Sequence, residues 1–142
     1  MEAVASEYWS ISDRELLDTV SALQTTIRQD HARMLALLSE MDARGVATKL
    51  GYPNTPALLL HTLRITRAEA RHRLAQAEVL HATVTPTGSV VEAALPQTAA
   101  ALARGDIGPD HVDVIRKTLT DLPPSGSGAA CVGREGVARP CR

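Results

Sequence analysis

The stretch SDRELLDTVSALQTTIRQDHARMLALLSEMDARG, Ser12–Gly45, decides the fold class. Ser12 followed three residues later by Glu15 is a capping box, and Ile11 just ahead is placed to staple against Leu16 or Leu17. A helix is therefore predicted to start at Asp13. Leu16, Val20, Leu23, Ile27, Met34, Leu38 and Met41 then step along at three- and four-residue spacing, and Gly45 after Arg44 supplies a left-handed stop. The result is one helix over 13–44, roughly 45 Å long at about 1.5 Å per residue. Asp30 and His31 stand in its seam where a large hydrophobe would continue the rhythm. The favoured reading is that the stripe drifts and both groups reach solvent, because an unpaired buried carboxylate is costly and no third group accompanies the pair. So long a helix cannot be covered along its length by a single partner helix of so small a domain. Packing on several shorter helices of the same chain is the expected arrangement. The heptad-like seam keeps self-association through helix 13–44, parallel or antiparallel, as the alternative.

Working outward, four shorter helices are predicted. Thr55-Pro56 reads as an N-cap with proline at the first helical position, opening a helix through Leu63. Thr66 and Glu69 form a second capping box for a helix running to about His81. Pro86, Thr87 and Gly88 make a loop. Pro96 starts a short Ala-rich helix that Gly105 terminates, and Pro109 starts the last one, with Val112, Ile115 and Leu119 on its inner face. At Pro123 the punctuation changes to Pro-Pro-Ser-Gly-Ser-Gly, followed by a run with no period. The expected organisation is an N-terminal extension over 1–11, an all-α domain over 12–122 with one long helix packed on about four shorter ones, and a Pro/Gly-rich unstructured tail over 123–142.

Composition agrees with helices. With no Phe, one Trp and two Tyr in 142 residues, the core must be filled by Leu, Val, Ile, Met and Ala, and strand formers are scarce. A formal net charge of -1 gives no global pull toward nucleic acid or an anionic membrane, so binding to either would need a local patch. The first residues carry Glu2 and Glu7 and lack the basic start and apolar run of a secretory signal. No stretch approaches the ~20 apolar residues of a membrane span. A cytoplasmic protein is expected. Cys131 and Cys141 lie too far apart for a Cys-x-x-Cys knuckle and no His flanks them, so no metal site is expected. No other cofactor and no small-molecule substrate is expected either.

Particular residues carry a family resemblance: Gly51-Tyr52, Leu63-Arg64-Ile65-Thr66 with Glu69-Ala70, Leu95-Pro96, and above all Leu102-Ala103-Arg104-Gly105-Asp106-Ile107 with His111-Val112 and Leu122-Pro123. Across roughly Ile11 to Pro123 the chain resembles the 13E12 repeat family of actinobacteria. In that family an all-helical N-terminal domain of unknown function, number 222 in the usual series, commonly precedes a C-terminal HNH endonuclease module. The resemblance implies an all-helical fold. It rests on fold-punctuating residues and carries no catalytic motif. Complete members would continue helical past the leucine-proline, and their nucleases add a His-Asn-His constellation with paired cysteines; neither follows Pro123. The change of composition there reads as a premature end after a shift of reading frame. Helix faces meant for the later elements would then stand exposed, each uncovered Leu forfeiting ~1.5–3 kcal/mol, and dimerisation or poor solubility is expected.

Two residue groups remain as candidate sites. The segment 55–81 reads as helix, short turn, helix, with Arg64 before the second helix and Arg67, Arg71 and Arg73 on it. In a helix-turn-helix reading Arg67 and Arg71 would approach base edges, with Arg64 and Arg73 toward phosphate. Arg64, Arg67 and Arg71 share one face while Arg73 points away from it, and Glu69 and Glu78 dilute the charge. A solvated helix face is the simpler account. The histidines His61, His72, His81 and His111 are scattered over three helices, and capping chemistry accounts for His111 between Asp110 and Asp113. No catalytic residue is assigned. The expected function is a non-catalytic interaction or scaffold module, with a DNA-binding accessory of a nuclease as the alternative.

Overall fold

A computed structural model describes residues 8–122. Within them lie six helices and one short hairpin: α1 Asp13–Ala43, α2 Val46–Lys49, α3 Thr55–Leu63, α4 Arg67–Leu80, β1 Thr83–Val84, β2 Val90–Val91, α5 Pro96–Arg104 and α6 Pro109–Asp121. The all-α fold with one long N-terminal helix is as the spacing predicts. The expected tail over 123–142, both cysteines and most of the N-terminal extension lie outside the described residues.

Local chemistry sets most boundaries. At the start of α1 the Ser12 backbone N–H donates to Glu15 Oε2 at 2.8 Å while Ser12 Oγ accepts from the Glu15 N–H at 3.3 Å, a complete capping box. The backbone donor first, and the Ser12 hydroxyl second, hold the Glu15 carboxyl below its usual range. At the other end, Arg44 and Gly45, with φ +63° at the glycine, turn the chain out. Two caps differ from expectation. Asn54, and not Thr55, caps α3, its Oδ1 accepting from the Ala57 N–H at 2.9 Å. The Thr55 hydroxyl instead donates to Asp42 Oδ1 at 2.6 Å and ties α3 to the end of α1. Thr66 does cap α4 through the Glu69 N–H at 3.1 Å, but the second half of the box is missing, because Glu69 turns forward to Arg73 at 2.7 Å. Elements that composition did not suggest are the single turn α2 and the hairpin, paired antiparallel with Thr83 opposite Val91 and Val84 opposite Val90.

The centre of the molecule is α4, which packs on α1, α3, α5 and α6. The core around it joins Leu35 and Leu38 of α1, Leu59 of α3, Ala70, Ala77 and Leu80 of α4, Leu95, Leu102 of α5 and Val112 of α6. The alanines let helix axes approach closely while the leucines fill the space between, which is how a chain without phenylalanine reaches interior packing. Met34 and Met41 pack against this cluster, so the second half of the predicted stripe is buried as expected.

The first half is not. Leu17, Val20, Leu23 and Ile27 keep 63%, 61%, 56% and 60% of their surface exposed, and Leu16 keeps 37%. The expectation that shorter helices cover α1 along its length is corrected here: α3 to α6 gather on its C-terminal half, the Gly105 turn reaches out as far as Thr25, and the row from Leu16 to Ile27 stays largely exposed. The capping box, internal hydrogen bonds and the exposed Arg14–Asp18 pair at 3.3 Å hold the turns beyond Thr25. Ser12→Ala is therefore expected to fray them, lowering the helical circular dichroism signal while leaving the melting temperature of the core unchanged. A fall in melting temperature would show that the outer turns are coupled to the core after all.

Candidate functional site

Polar chemistry gathers where α1, α4 and α6 meet. Gln76 of α4 is only 1% exposed and its amide is fully used: Nε2 donates to the Pro109 carbonyl at 3.1 Å and to Asp113 Oδ1 at 2.9 Å, and Oε1 lies 3.2 Å from His31 Nε2. His72 Nε2 is 2.6 Å from Asp113 Oδ2, its Nδ1 is 4.0 Å from Glu69, and Arg116 reaches Asp113 Oδ1 at 3.5 Å. Asp113 thus joins α6 to α4 and does not cap its own helix. His111 does cap, accepting the Gly108 N–H on Nδ1 at 3.1 Å. His31 is half-buried in this network and does not reach solvent freely, whereas its seam neighbour Asp30 is exposed and bridges Arg33 at 3.4 Å.

Sequence reading missed Gln76 and the role of Asp113. A glutamine on a helix among Arg, Glu and Ala reads as solvated, and nothing local tells that α6 arrives above it. The atoms bonded to His72 are carboxylate and amide, so the cluster clamps three helices and holds no nucleophile beside its imidazole. Among the described residues no three of His, Cys, Asp and Glu are grouped to hold a metal ion. His61, at a distance, meets the Tyr52 hydroxyl at 2.5 Å.

The four arginines are placed differently from one another. Arg64, in the left-handed conformation with φ +55°, and Arg67 and Arg71 on the open side of α4 are all exposed. None of these three is ion-paired among the described residues. Arg71 borders a wide groove of about 720 Å³ whose other walls include Asp42, Glu78 and Pro86. Arg73 lies on the opposite side, half-buried against α1, paired with Glu69 and touching Met34 Sδ at 3.1 Å. Its guanidinium is engaged within the fold.

His81 ends α4 and lines a smaller groove of about 340 Å³ between α1 and α5, with Arg33, Ala36, Ala99 and Leu102. Burial pushes this imidazole below its usual range. The sign follows from proton uptake: below about pH 6.5 the unfolded chain binds a proton at this residue more readily than the folded one, so stability present at higher pH is lost as pH falls. The melting temperature is expected to drop between about pH 7.5 and about pH 5.5, and His81→Gln should flatten that slope. An identical slope in the variant would assign the pH dependence elsewhere.

Comparison with other proteins places the chain in a family. The chain is 32% identical over 113 residues to uncharacterized protein Rv1148c of Mycobacterium tuberculosis, covering 80% of this chain and 25% of that protein. The same figures relate it to uncharacterized protein Mb1179c of Mycobacterium bovis. It is 35% identical over 118 residues to uncharacterized protein Rv3466 of M. tuberculosis, covering 83% of this chain and 51% of that protein. The chain thus spans about a quarter of the length of the first two relatives. No solved structure matches it. Residues 17–136 match the family described as Domain of unknown function (DUF222), and the match takes in the Leu102–Ile107 turn and all of α2 to α6. The chain belongs to the DUF222 family.

Proposed function

We propose that this domain is a non-catalytic helical interaction module. The observation that carries the reading is the projecting half of α1, a row of large aliphatic side chains on a helix with its own cap that stay largely exposed among the described residues. Uncovered apolar surface of this kind marks a docking face. The polar cluster supports the same reading, because its hydrogen bonds are spent on joining α1, α4 and α6. The resemblance to the 13E12 repeat family extends the proposal: the module would serve as scaffold for an HNH endonuclease part of its relatives, acting in the cytoplasm. No helix of the described residues is long and apolar enough to cross a membrane.

The test is direct. Purified chain incubated with supercoiled plasmid and magnesium, manganese or zinc should leave the plasmid intact. Cleavage that disappears in both His72→Ala and Asp113→Asn would overturn the module reading and make their pair the centre of an enzyme.

A second reading, DNA binding through 55–81, is favoured by one observation: Arg64, Arg67 and Arg71 are exposed and free of carboxylate partners. Arg73 does not join them. If the three reach phosphates, their combined replacement by glutamine should abolish retention on DNA at low salt and reduce the slope of log K against log salt by about 3. Retention unchanged by the triple variant would remove this reading.

A further inference from the structure

We propose that the occupant of the uncovered face is a second copy of this chain, docked antiparallel so that Leu16 of one copy meets Ile27 of the other and Val20 meets Leu23. The inference rests on the interaction-module reading and names its partner. Leu16, Val20, Leu23 and Ile27 follow one another at spacings of four, three and four, the rhythm that lets two helices mesh side chain into gap. The residues bordering the row are Leu17, Thr19, Gln24 and Thr26. None is charged, so the borders of the row carry nothing that repels an identical helix, and the acidic Asp13 and Asp30 stand outside its two ends.

The direction follows from what already covers the rest of the row. Met34, Leu38 and Met41 continue the same face of α1 and are packed into the core beneath α4. A second α1 laid parallel would have to run its own residues 30–43 through the space that α4 occupies. Laid antiparallel, it starts level with Asp30 and runs outward past Asp13, which sets the two bodies at opposite ends of the pair. Charge agrees. The outer turn carries Asp13, Glu15 and Asp18 against Arg14 alone, and a parallel pair would place two such turns side by side. In the antiparallel pair the outer turn comes beside the exposed Arg33 of the other copy, which also neutralises the Asp30 that Asp13 approaches.

The overlap is about four turns per chain, less than the ~1,200 Å² of buried surface that stable interfaces reach, so the dimer should be weak, with a dissociation constant of about 1–100 µM.

Sedimentation equilibrium over a concentration series should show a monomer–dimer equilibrium in that range. Leu23→Glu should raise the dissociation constant about 100-fold or more, since a buried leucine is lost from each copy. Because Leu23 is exposed in the single chain, its melting curve at low concentration should not move, which separates lost docking from lost folding. Direction is read by cross-linking in a Cys131→Ser, Cys141→Ser background. Leu16→Cys and Ile27→Cys chains should each form little disulfide alone and form the mixed disulfide when combined, because like positions are about 16 Å apart in this arrangement, beyond disulfide reach. Monomer at every concentration, association untouched by Leu23→Glu, or ready disulfide in either single variant would each overturn the proposal. A monomer that leaves plasmid intact sinks the dimer and spares the module reading; plasmid cleavage by a dimer does the reverse.

Discussion

Gly105→Ala is expected to destabilise the domain by about 3 kcal/mol and lower its melting temperature by roughly 10–20 °C. Gly105 ends α5 with φ +82°, and a Cβ built there would lie 2.7 Å from Thr25 Cγ2 and 2.8 Å from the Thr25 carbonyl oxygen. The Thr25 methyl group can turn aside, but the carbonyl belongs to the backbone of α1 and moves only with the helix. The left-handed conformation adds about 1–2 kcal/mol for any residue with a Cβ. The loop is also clasped from above: Arg28 Nη1 donates to the Gly105 carbonyl at 3.3 Å and Gln29 Nε2 to the Arg104 carbonyl at 3.2 Å. These are otherwise unpaired carbonyls at the end of α5, so pushing the loop away loses both bonds as well. Gly88 provides the control, since it shares a φ of +84° but has nothing within 4 Å of its built Cβ. Gly88→Ala should cost only the conformational part, about 1 kcal/mol. Thermal or urea melting of the two variants measures the difference directly, and equal losses would mean that the approach of α5 to α1 contributes nothing.

The second large effect is expected at Gln76. Leucine is close to glutamine in size, so Gln76→Leu opens no cavity and isolates the loss of hydrogen bonding. It takes one donor from the Pro109 carbonyl and one from Asp113 Oδ1, which keeps Arg116 at 3.5 Å, and leaves the His31 ring without its amide partner. At about 1–3 kcal/mol for the stranded ring and about 0.5–1.5 kcal/mol for each of the two bonds lost from groups that keep other partners, a total of about 3 kcal/mol is expected. The loss should be local in character. Asp113 and Pro109 are the points where α6 is held to α4, so amide exchange should quicken in α6 before it does in α4 or the inner half of α1. Uniform loss of protection would show that the cluster is not what docks α6. Gln76→Ala should be worse, adding a cavity to the same broken bonds.

How much of this could be read without coordinates is clear at particular residues. The Ser12 and Glu15 capping box, the Gly45 and Gly105 stops and the Pro96 and Pro109 starts were legible because each is satisfied by atoms within about one turn of chain. The Asn54 cap was misplaced by one residue because Thr55 is drawn away by Asp42, a residue thirteen positions earlier. The hairpin Thr83–Val91 was unread for a similar reason. Two residue pairs are too few to leave an alternating pattern, and it is framed by the Leu95 N–H bond to the Val79 carbonyl.

The candidate site was the least legible part. Helical periodicity parts Arg73 from Arg67 and Arg71, and in the structure Arg73 is half-buried and paired with Glu69 while Arg67 and Arg71 are exposed. The burial of Gln76, the clamp on Asp113 and the half-buried His31 were invisible, since a polar side chain in a helix looks the same whether it meets water or another helix.

The amino-acid sequence by itself determined that this chain is helical, where its longer helices begin and end, and that one aliphatic row runs the length of the first. Only the tertiary structure decided which half of that row is covered, and which polar groups are buried together. The physical reason is range: caps, stops and periodicity are settled by hydrogen bonds and sterics between neighbours, whereas cover is settled by where α4, α5 and α6 come to rest against α1, and their cover of this row stops short of Ile27.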